Sequence, residues 1–592
     1  MKTEFHPRDF RVAYRWSSRL VHRVFPSENA LLLALAFVVG VGSGFGALAF
    51  EFLIEFFRHG FGSLTAIIPF AADHAAVGTL ITLILAGIAG GILLRTVARS
   101  SRGHGVPDVM ARAAIGGGRI SPRVVGDTTL TASVCIGAGG SAGPEGPIIH
   151  IGSAIGSAVG QAMHMSTERL RILVACGAAG GISAIFGAPL AGVMFAVEVI
   201  VGDFGVRSLT AIVVSSVLAA VTHQGFVSWE PRFEVPDHGM ISFSEVPFVI
   251  VLGLLAGGVS WLFIKALYWT EDRFHDFPGP PWVRPAVGMF GVGVIAAGFP
   301  EVLGDGYAAI NEALNARLAW QIMGLLVFMK LLATCLTVGS GNVGGLFAPS
   351  MVIGAMMGAA YGVGVELVFP DQGVTPALFA LVGMAAVIAG TTHATIASIL
   401  LIFEVTNDYA LVLPVMLAAA TSVVLSTYLN RESIYSLKLA REGIHLRRGV
   451  EVNVMNSIPV GSVMRPPRPV IFEDMRFNDL LRFIEDHEDT SFPVVDRGNR
   501  LFGVIAYRDL RSALRRERSP EMDRLVMAGD LAVTEPETVT PDQNLNHAMQ
   551  LFGMRDLSVL PVVAADDDRR LVGKLYRSDV LSAYRRALLR NA

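Results

Sequence analysis

A single carboxylate interrupts one of the most apolar parts of this chain. Glu145 lies in the stretch GAGGSAGPEGPIIHIG, residues 137–152, where glycine and proline separate two apolar segments. Charge at membrane depth is costly and usually functional, and irregular backbone persists there only inside protein or beside a watery cavity. Pro147 suits the first turn of a helix. The pattern predicts a helix N-terminus directed into a cavity, where free backbone N–H groups favour an anion.

Hydropathy and charge divide the chain into distinct parts. The 592 residues are 52% hydrophobic and only 16% charged, which is typical of an integral membrane protein. Of the 97 Lys, Arg, Asp and Glu residues, 42 fall within 451–592. We therefore predict a basic N-terminus, a membrane domain, a linker and the two halves of a charged tail, at 1–27, 28–445, 446–458, 459–520 and 521–592.

Apolar segments recur along the membrane domain. Several are shorter than the roughly 20 residues of a simple span or contain glycine and proline, which predicts re-entrant or tilted half-helices. They cover about 29–57, 75–98, 122–140, 147–163, 168–182, 187–202, 208–222, 245–270, 284–299, 319–338, 347–365, 374–389, 393–405 and 410–428. The basic residues 1–27 precede no short apolar region with a cleavage site, which predicts a cytoplasmic N-terminus without a cleavable signal peptide.

The membrane domain contains an internal repeat. Residues 137–147 align with GSGNVGGLFAP at 339–349, at an offset of 202. The segments that carry Glu198 and Glu404 align at an offset of 206. Two matches in the same order at nearly the same offset indicate a duplicated fold. The alignment does not tell whether the halves are inverted, and we interpret the two glutamates as residues of packing or of the dimer interface rather than as proton carriers.

The tail contains a second repeat. Residues 490–510 and 557–581 share a Pro-Val-Val strand, a polar turn, a Leu-x-Gly strand and an Asp that opens a helix. Gly503 and Gly573 are 70 residues apart, as are Asp509 and Asp579. The pattern predicts two small α/β units packed together.

The sequence lacks the patterns that are typical of several other functional classes. The three cysteines, Cys135, Cys176 and Cys335, lie in apolar segments and are interpreted as core residues. No cluster of His, Cys, Asp and Glu has metal-ligand spacing. No nucleophile with a base and no phosphate-binding loop is visible. We therefore predict no metal site, no enzymatic activity, no required cofactor and no nucleic-acid partner.

Four motifs, in order, resemble those of the CLC family of chloride channels and proton/chloride exchangers. They are GHGVPDV, GPEGPIIHIG, GGLFAP and SIYSLKLA, at 103–109, 143–152, 344–349 and 433–440. The tail resembles a tandem pair of CBS domains. The resemblance implies an all-α polytopic membrane protein with the CLC fold, two inverted repeats of broken and tilted helices, followed by a small α/β tandem CBS domain. It also implies a homodimer with one anion pathway in each subunit.

The family motifs place a chloride site in each subunit. By position, the resemblance implies anion binding by the loop with His104, Gly105 and Val106, and by Tyr435. It also implies contacts from Gly146 and from the backbone N–H groups of Leu346 and Phe347. Such donors replace the hydration shell without trapping the ion as a buried lysine would. Glu145 aligns with the gating glutamate, whose carboxylate competes with the anion for its site.

Three positions depart from the family pattern. His104 replaces a serine, which would make transport pH-dependent if the imidazole were protonated. Pro144 replaces a Lys or Arg, and Val199 replaces the internal proton-accepting glutamate of many exchangers. Because valine carries no proton, we expect a passive voltage- or pH-gated anion channel. The alternatives are a proton-coupled anion antiporter and a membrane sensor with little transport, whose CBS tail reads nucleotide or ionic strength.

The tail raises the question of an adenine-nucleotide ligand. In the CBS family an Asp at the start of the last helix holds ribose hydroxyls, which suits Asp509 and Asp579. A Ser or Thr usually stands three residues earlier, whereas this chain has Ala506 and Tyr576 there. The alternative to a nucleotide site is a dimerisation and gating module. We further expect contact with membrane lipid, a bacterial inner-membrane location and a cytoplasmic tail.

Overall fold

The structure of the protein is a computed structural model. The chain divides into two compact units, Met1–Leu446 and Arg447–Ala592. The residues that the structure describes are 28–67, 74–96, 105–114, 116–202, 206–227, 233, 235, 243–370, 375–444, 455, 458–487, 489, 491–506, 526–534, 536–555 and 558–590.

The first unit is a bundle of apolar helices. Within the described residues, seven of its helices are long and apolar enough to cross a membrane. In chain order the helices are α1 Glu28–Ile67, α2 Ala75–Thr96, α3 Val106–Ala114, α4 Pro122–Gly137, α5 Glu145–Ala162, α6 Thr167–Phe186, α7 Pro189–Phe195, α8 Val206–Gln224, α9 Val246–His275, α10 Arg284–Ala296, α11 Tyr307–Leu314, α12 Trp320–Gly339, α13 Phe347–Val368, α14 Pro376–Thr392, α15 Thr395–Thr406, α16 Val412–Leu429 and α17 Ser436–Arg441. Helix α7 continues as a π-helical turn, Ala196–Val201. Every predicted apolar segment coincides with a helix, whereas the short helices α3, α11 and α17 lie outside the predicted segments.

Each half of this unit contains a close helix crossing, and the two crossings are equivalent. Helices α5 and α6 meet at Gly152 and Gly177, where a Cβ on either residue would collide with the carbonyl of the other. Helices α13 and α14 meet at Gly354 and Gly383 in the same reciprocal way. Backbones approach this closely only where the side chain is absent. The equivalent positions are separated by 202 and 206 residues, the two offsets found in the sequence.

A pair of glutamates shows how the halves are oriented. The Glu198 carboxylate accepts from the N–H groups of Ile396 and Ala397, at 3.1 and 2.8 Å, in the first turn of α15. The Glu404 carboxylate accepts from Leu190 and Ala191, at 2.8 and 2.7 Å, in the first turn of α7. Each helix therefore places its C-terminal glutamate on the other's N-terminus, where free N–H groups favour negative charge. The reciprocal contacts make α7 and α15 antiparallel about a local two-fold axis, as inverted repeats require.

The second unit contains two small sheets. Its strands and helices are β1 Ile471–Phe472, α18 Phe477–Glu485, β2 Ser491–Val495, β3 Leu501–Ala506, α19 Ala528–Leu531, α20 Leu545–Arg555, β4 Val559–Ala564, β5 Asp567–Tyr576 and α21 Arg577–Arg590. Strand β2 pairs parallel with β1 and antiparallel with β3, and β4 pairs antiparallel with β5. Val494 faces Gly503 in one sheet as Val562 faces Gly573 in the other, which confirms the predicted repeat.

Candidate anion pathway

The two glycine-rich breaks of the repeat meet each other in the membrane unit. Gly143 N donates to Gly345 O at 2.9 Å, and Gly345 N donates to Gly143 O at 2.6 Å. These residues are equivalent in the repeat, since 202 positions separate them. The antiparallel bridge holds the starts of α5 and α13 side by side. Two helix N-termini, with their unpaired N–H groups, therefore lie at one point.

Glu145 lies at this point as the first residue of α5. Its side chain is buried, with 1% of the residue exposed. Oε1 accepts a hydrogen bond from the Tyr307 hydroxyl at 2.9 Å. Oε2 is buried without a hydrogen-bond partner among the described residues. A Cβ on Gly143 would collide with the carboxylate, and one on Gly345 would lie 2.7 Å from Oε2. The two glycines thus leave the space that the carboxylate fills.

The predicted backbone donors lie beside an aromatic cluster. Leu346 and Phe347 begin α13 and are buried, as is Gly146 in the first turn of α5. The Phe347 ring is 5.9 Å from that of Phe195, which is 6.5 Å from the Tyr435 ring. The structure therefore brings Phe347 and Tyr435 against the same side chain. Sequence reasoning missed Phe195, although it stands in an apolar segment close to Glu198.

Tyr435 lies at the N-terminus of α17, in a segment that is tightly held. Tyr268 donates its hydroxyl proton to Ile434 O at 2.6 Å. The residue Tyr435 is buried, with 4% of its surface exposed. Of the first motif, Gly105 adopts a left-handed φ of 89°, and Val106 begins α3. His104 lies outside the described residues.

A cavity of about 280 Å³ reaches this region. Its lining includes the buried residues Gly105 and Pro147, the latter two residues from Glu145. It also includes Glu271 and Lys438, whose side chains are 41% and 30% exposed and 3.9 Å apart. The cavity therefore joins partly exposed charged groups to the start of α5. This agrees with the predicted helix N-terminus directed into a cavity.

Two functional candidates beside Glu145 were missed in the sequence. Lys330 is fully buried in α12, and its Nζ donates to the carbonyls of Val302 and Gly304 at 2.9 and 2.8 Å. A lysine inside an apolar segment is a signal that sequence reasoning could have used. Tyr307 carried no such signal, because it stands in a short segment between two apolar runs.

Val199 takes no part in the polar site. It is 4% exposed in the π-helical turn that follows α7. The neighbouring Glu198 caps α15 and is committed to that contact.

The tail offers one of the two predicted ribose-binding carboxylates. Arg465 donates to both oxygens of Asp579 at 2.6 Å, and its guanidinium lies 4.9 Å from the centre of the Tyr576 ring. Burial and the hydrogen bond to Asp489 raise the pKa of Tyr576 to about 12, so its hydroxyl remains a donor. Asp579 is therefore paired with Arg465 in this structure, and a nucleotide at this half stays a prediction. Asp509 lies outside the described residues, and a nucleotide at that half stays a prediction.

Comparison with known proteins gives consistent matches. The family model for voltage-gated chloride channels matches residues 86–427, and that for CBS domains matches 460–516 and 528–586. A putative chloride channel protein, ClcB-like, from Ralstonia nicotianae is 32% identical over 69% of this chain and 97% of its own length. The H(+)/Cl(-) exchange transporter ClcA of Salmonella arizonae is 29% identical over 72% and 91%. The crystal structure of a slow cyanobacterial Cl-/H+ antiporter matches with a TM-score of 0.64 and 26% identity, over 69% and 97%.

Proposed function

The chain belongs to the CLC family of voltage-gated chloride channels, with a CBS tail, and we propose that it exchanges chloride for protons. Anion transport across a membrane is the function of the family. Exchange is the finer proposal, in which Glu145 both blocks the anion site and carries the proton. The observation that carries it is the position of this one buried carboxylate between two helix N-termini.

The position of Glu145 links the two ions physically. An ionised carboxylate between the starts of α5 and α13 occupies the place that suits an anion. Protonation removes that charge, so the side chain can leave and chloride can enter. One group therefore makes anion entry depend on a proton. Two of the similar proteins are named as exchangers of chloride and protons, which favours this proposal over the passive channel expected from Val199.

The missing internal glutamate calls for another proton route. The 280 Å³ cavity provides space for water between Pro147 and the partly exposed Glu271. We infer that water in this cavity delivers protons to Glu145, since polar walls and sufficient volume are what a water chain needs. A passive channel remains the second candidate, and Val199 is the observation that favours it.

The resemblance also supports proposals about the assembly. We propose a homodimer with one pathway in each subunit, surrounded by membrane lipid. The N-terminus and the CBS tail would lie in the cytoplasm of a bacterial cell, with the protein in the inner membrane. The basic residues in 1–27 support this orientation through the preference of positive charge for the cytoplasmic side.

Flux measurements in liposomes test the exchange proposal. Purified protein in chloride-loaded vesicles is expected to release chloride and take up protons in a fixed ratio. Glu145→Gln is expected to abolish proton uptake while chloride still passes, because the amide cannot carry the proton. The matched control Glu168→Gln removes one exposed carboxylate from the start of α6 and should behave as wild type. Chloride release without proton movement in the wild-type protein would contradict exchange.

A further inference from the structure

The buried gate carboxylate has one side-chain partner among the described residues. The Tyr307 hydroxyl donates to Glu145 Oε1 at 2.9 Å. The other oxygen, Oε2, has no hydrogen-bond partner there. The carboxylate is buried, so a donor that it loses is not replaced by bulk water. Among the described side chains, the Tyr307 hydroxyl is therefore the hydrogen-bond donor that positions the carboxylate.

The fold places the Tyr307 hydroxyl with little freedom. Tyr307 is the first residue of α11, and the left-handed Gly306, at φ 82°, precedes it. Its N–H donates to Asp305 Oδ1 at 3.3 Å, and its ring packs edge-on against Phe233 with 5.7 Å between the ring centres. The backbone and the ring of Tyr307 are thus both held in place, and they direct its hydroxyl towards Glu145.

A buried lysine stabilises the turn that precedes Tyr307. The side-chain Nζ of Lys330 donates to the carbonyls of Val302 and Gly304 at 2.9 and 2.8 Å. A Cβ on Gly306 would lie 3.2 Å from the Lys330 Nζ, so this nitrogen also lies against that residue. Because Lys330 is fully buried, bulk water does not compete for these contacts. The turn is therefore held against α12, and Tyr307 with it.

We propose that Tyr307 is a positioning residue that holds the Glu145 carboxylate closed in the anion pathway. Its hydroxyl stabilises the closed carboxylate, and Lys330 stabilises the turn that aims the hydroxyl. This proposal rests on the proposed role of Glu145 as the gate. In this proposal, helix α11 determines how strongly the Glu145 carboxylate competes with the anion.

The strength of the hydrogen bond between Tyr307 and Glu145 sets the apparent affinity for chloride. A ligand that binds only the open form loses affinity in proportion to the rarity of that form. A single hydrogen bond typically changes such an equilibrium by up to about tenfold. Removal of the hydroxyl should therefore increase chloride affinity by up to about tenfold, provided that Glu145 is present to compete.

Chloride binding to the full-length protein in detergent tests the proposal. Calorimetric titration with chloride alone should give tighter binding for Tyr307→Phe, by up to about tenfold. The phenylalanine keeps the ring that packs on Phe233, so the variant is expected to fold. Tyr361→Phe is the matched control, because it removes a hydroxyl that donates to Phe248 O, away from the carboxylate. It should bind chloride as wild type.

The same substitution in a second background isolates the hydrogen bond. With Glu145→Gln in place, Tyr307→Phe should leave chloride affinity unchanged, because the competing charge is gone. Unchanged affinity for Tyr307→Phe alone would overturn the proposal, and so would an equal change in both backgrounds. The titration involves no proton gradient. Failure of proton exchange in liposomes would therefore contradict the proposed function. The role assigned to Tyr307 would still be decided by the chloride titrations.

Discussion

At the scale of single residues, the site depends on the absence of side chains as much as on their presence. Glu145 fits only because Gly143 and Gly345 lack a Cβ. The glycines were visible in the sequence as part of two aligned motifs, and Glu145 as a charge between apolar segments. Their mutual bridge was not visible, because an alignment of two segments does not reveal that they touch. Tyr307 was equally hidden, since no apolar run marks α11.

The substitution Gly345→Ala tests this account of the carboxylate. A Cβ at this position would lie 2.7 Å from Glu145 Oε2 and 2.8 Å from Gly146 N, so the carboxylate must move. We expect the variant to pass chloride with little proton uptake, the same result that is expected for Glu145→Gln. Gly364→Ala is the control, because a Cβ there meets nothing within 4 Å. Chloride and proton flux from loaded vesicles measure both variants, and wild-type coupling in Gly345→Ala would contradict the account.

At the scale of helices, hydropathy predicted most of what the structure contains. Long apolar segments such as 374–389 coincide with helices, here Pro376–Thr392, because a chain in lipid must satisfy its backbone within the helix. The short helices α3 and α17 were missed, since each has less than three turns and mixed polarity. Their tertiary contacts, rather than their own hydropathy, stabilise them. The motif residues Gly105 and Tyr435 were found only by resemblance.

The reciprocal glutamate caps carry a stability prediction. Glu198→Ala and Glu404→Ala each remove an acceptor from two N–H groups at a helix N-terminus. Each should lower the free energy of unfolding by about 1–3 kcal/mol, measured by denaturant titration in detergent. Glu366→Ala, which removes an exposed carboxylate from the end of α13, should change it by less than about 0.5 kcal/mol. The two-fold arrangement would be contradicted if only one of the two cap variants were destabilised.

At the scale of the whole molecule, the chain combines a duplicated membrane unit with a duplicated tail. The membrane repeat was predicted from two matches near an offset of 204, and the structure added its two-fold sense through Glu198 and Glu404. The tail repeat was predicted from strand and turn patterns, and equal registers at Gly503 and Gly573 confirmed it. The ion pair of Arg465 with Asp579 was not predictable, because 114 residues separate the partners.

Transport mode is the property that the sequence predicted least well. Val199 suggested a channel, since one position was taken to represent the whole proton route. A cavity between Pro147 and Glu271 was not readable from the sequence, because its lining residues come from distant parts of the chain. In the proposed exchange mechanism, proton access through water would depend on this space rather than on one residue type.

The reversal potential of the current in a planar bilayer tests the central claim most directly. With equal chloride on both sides and a difference in pH, an exchanger carries current at zero voltage, because protons moving down their gradient drive chloride. We predict a non-zero reversal potential whose sign follows the direction of the pH difference and which disappears in Glu145→Gln. A reversal potential that stays at zero while the wild-type protein conducts chloride would contradict proton-coupled exchange.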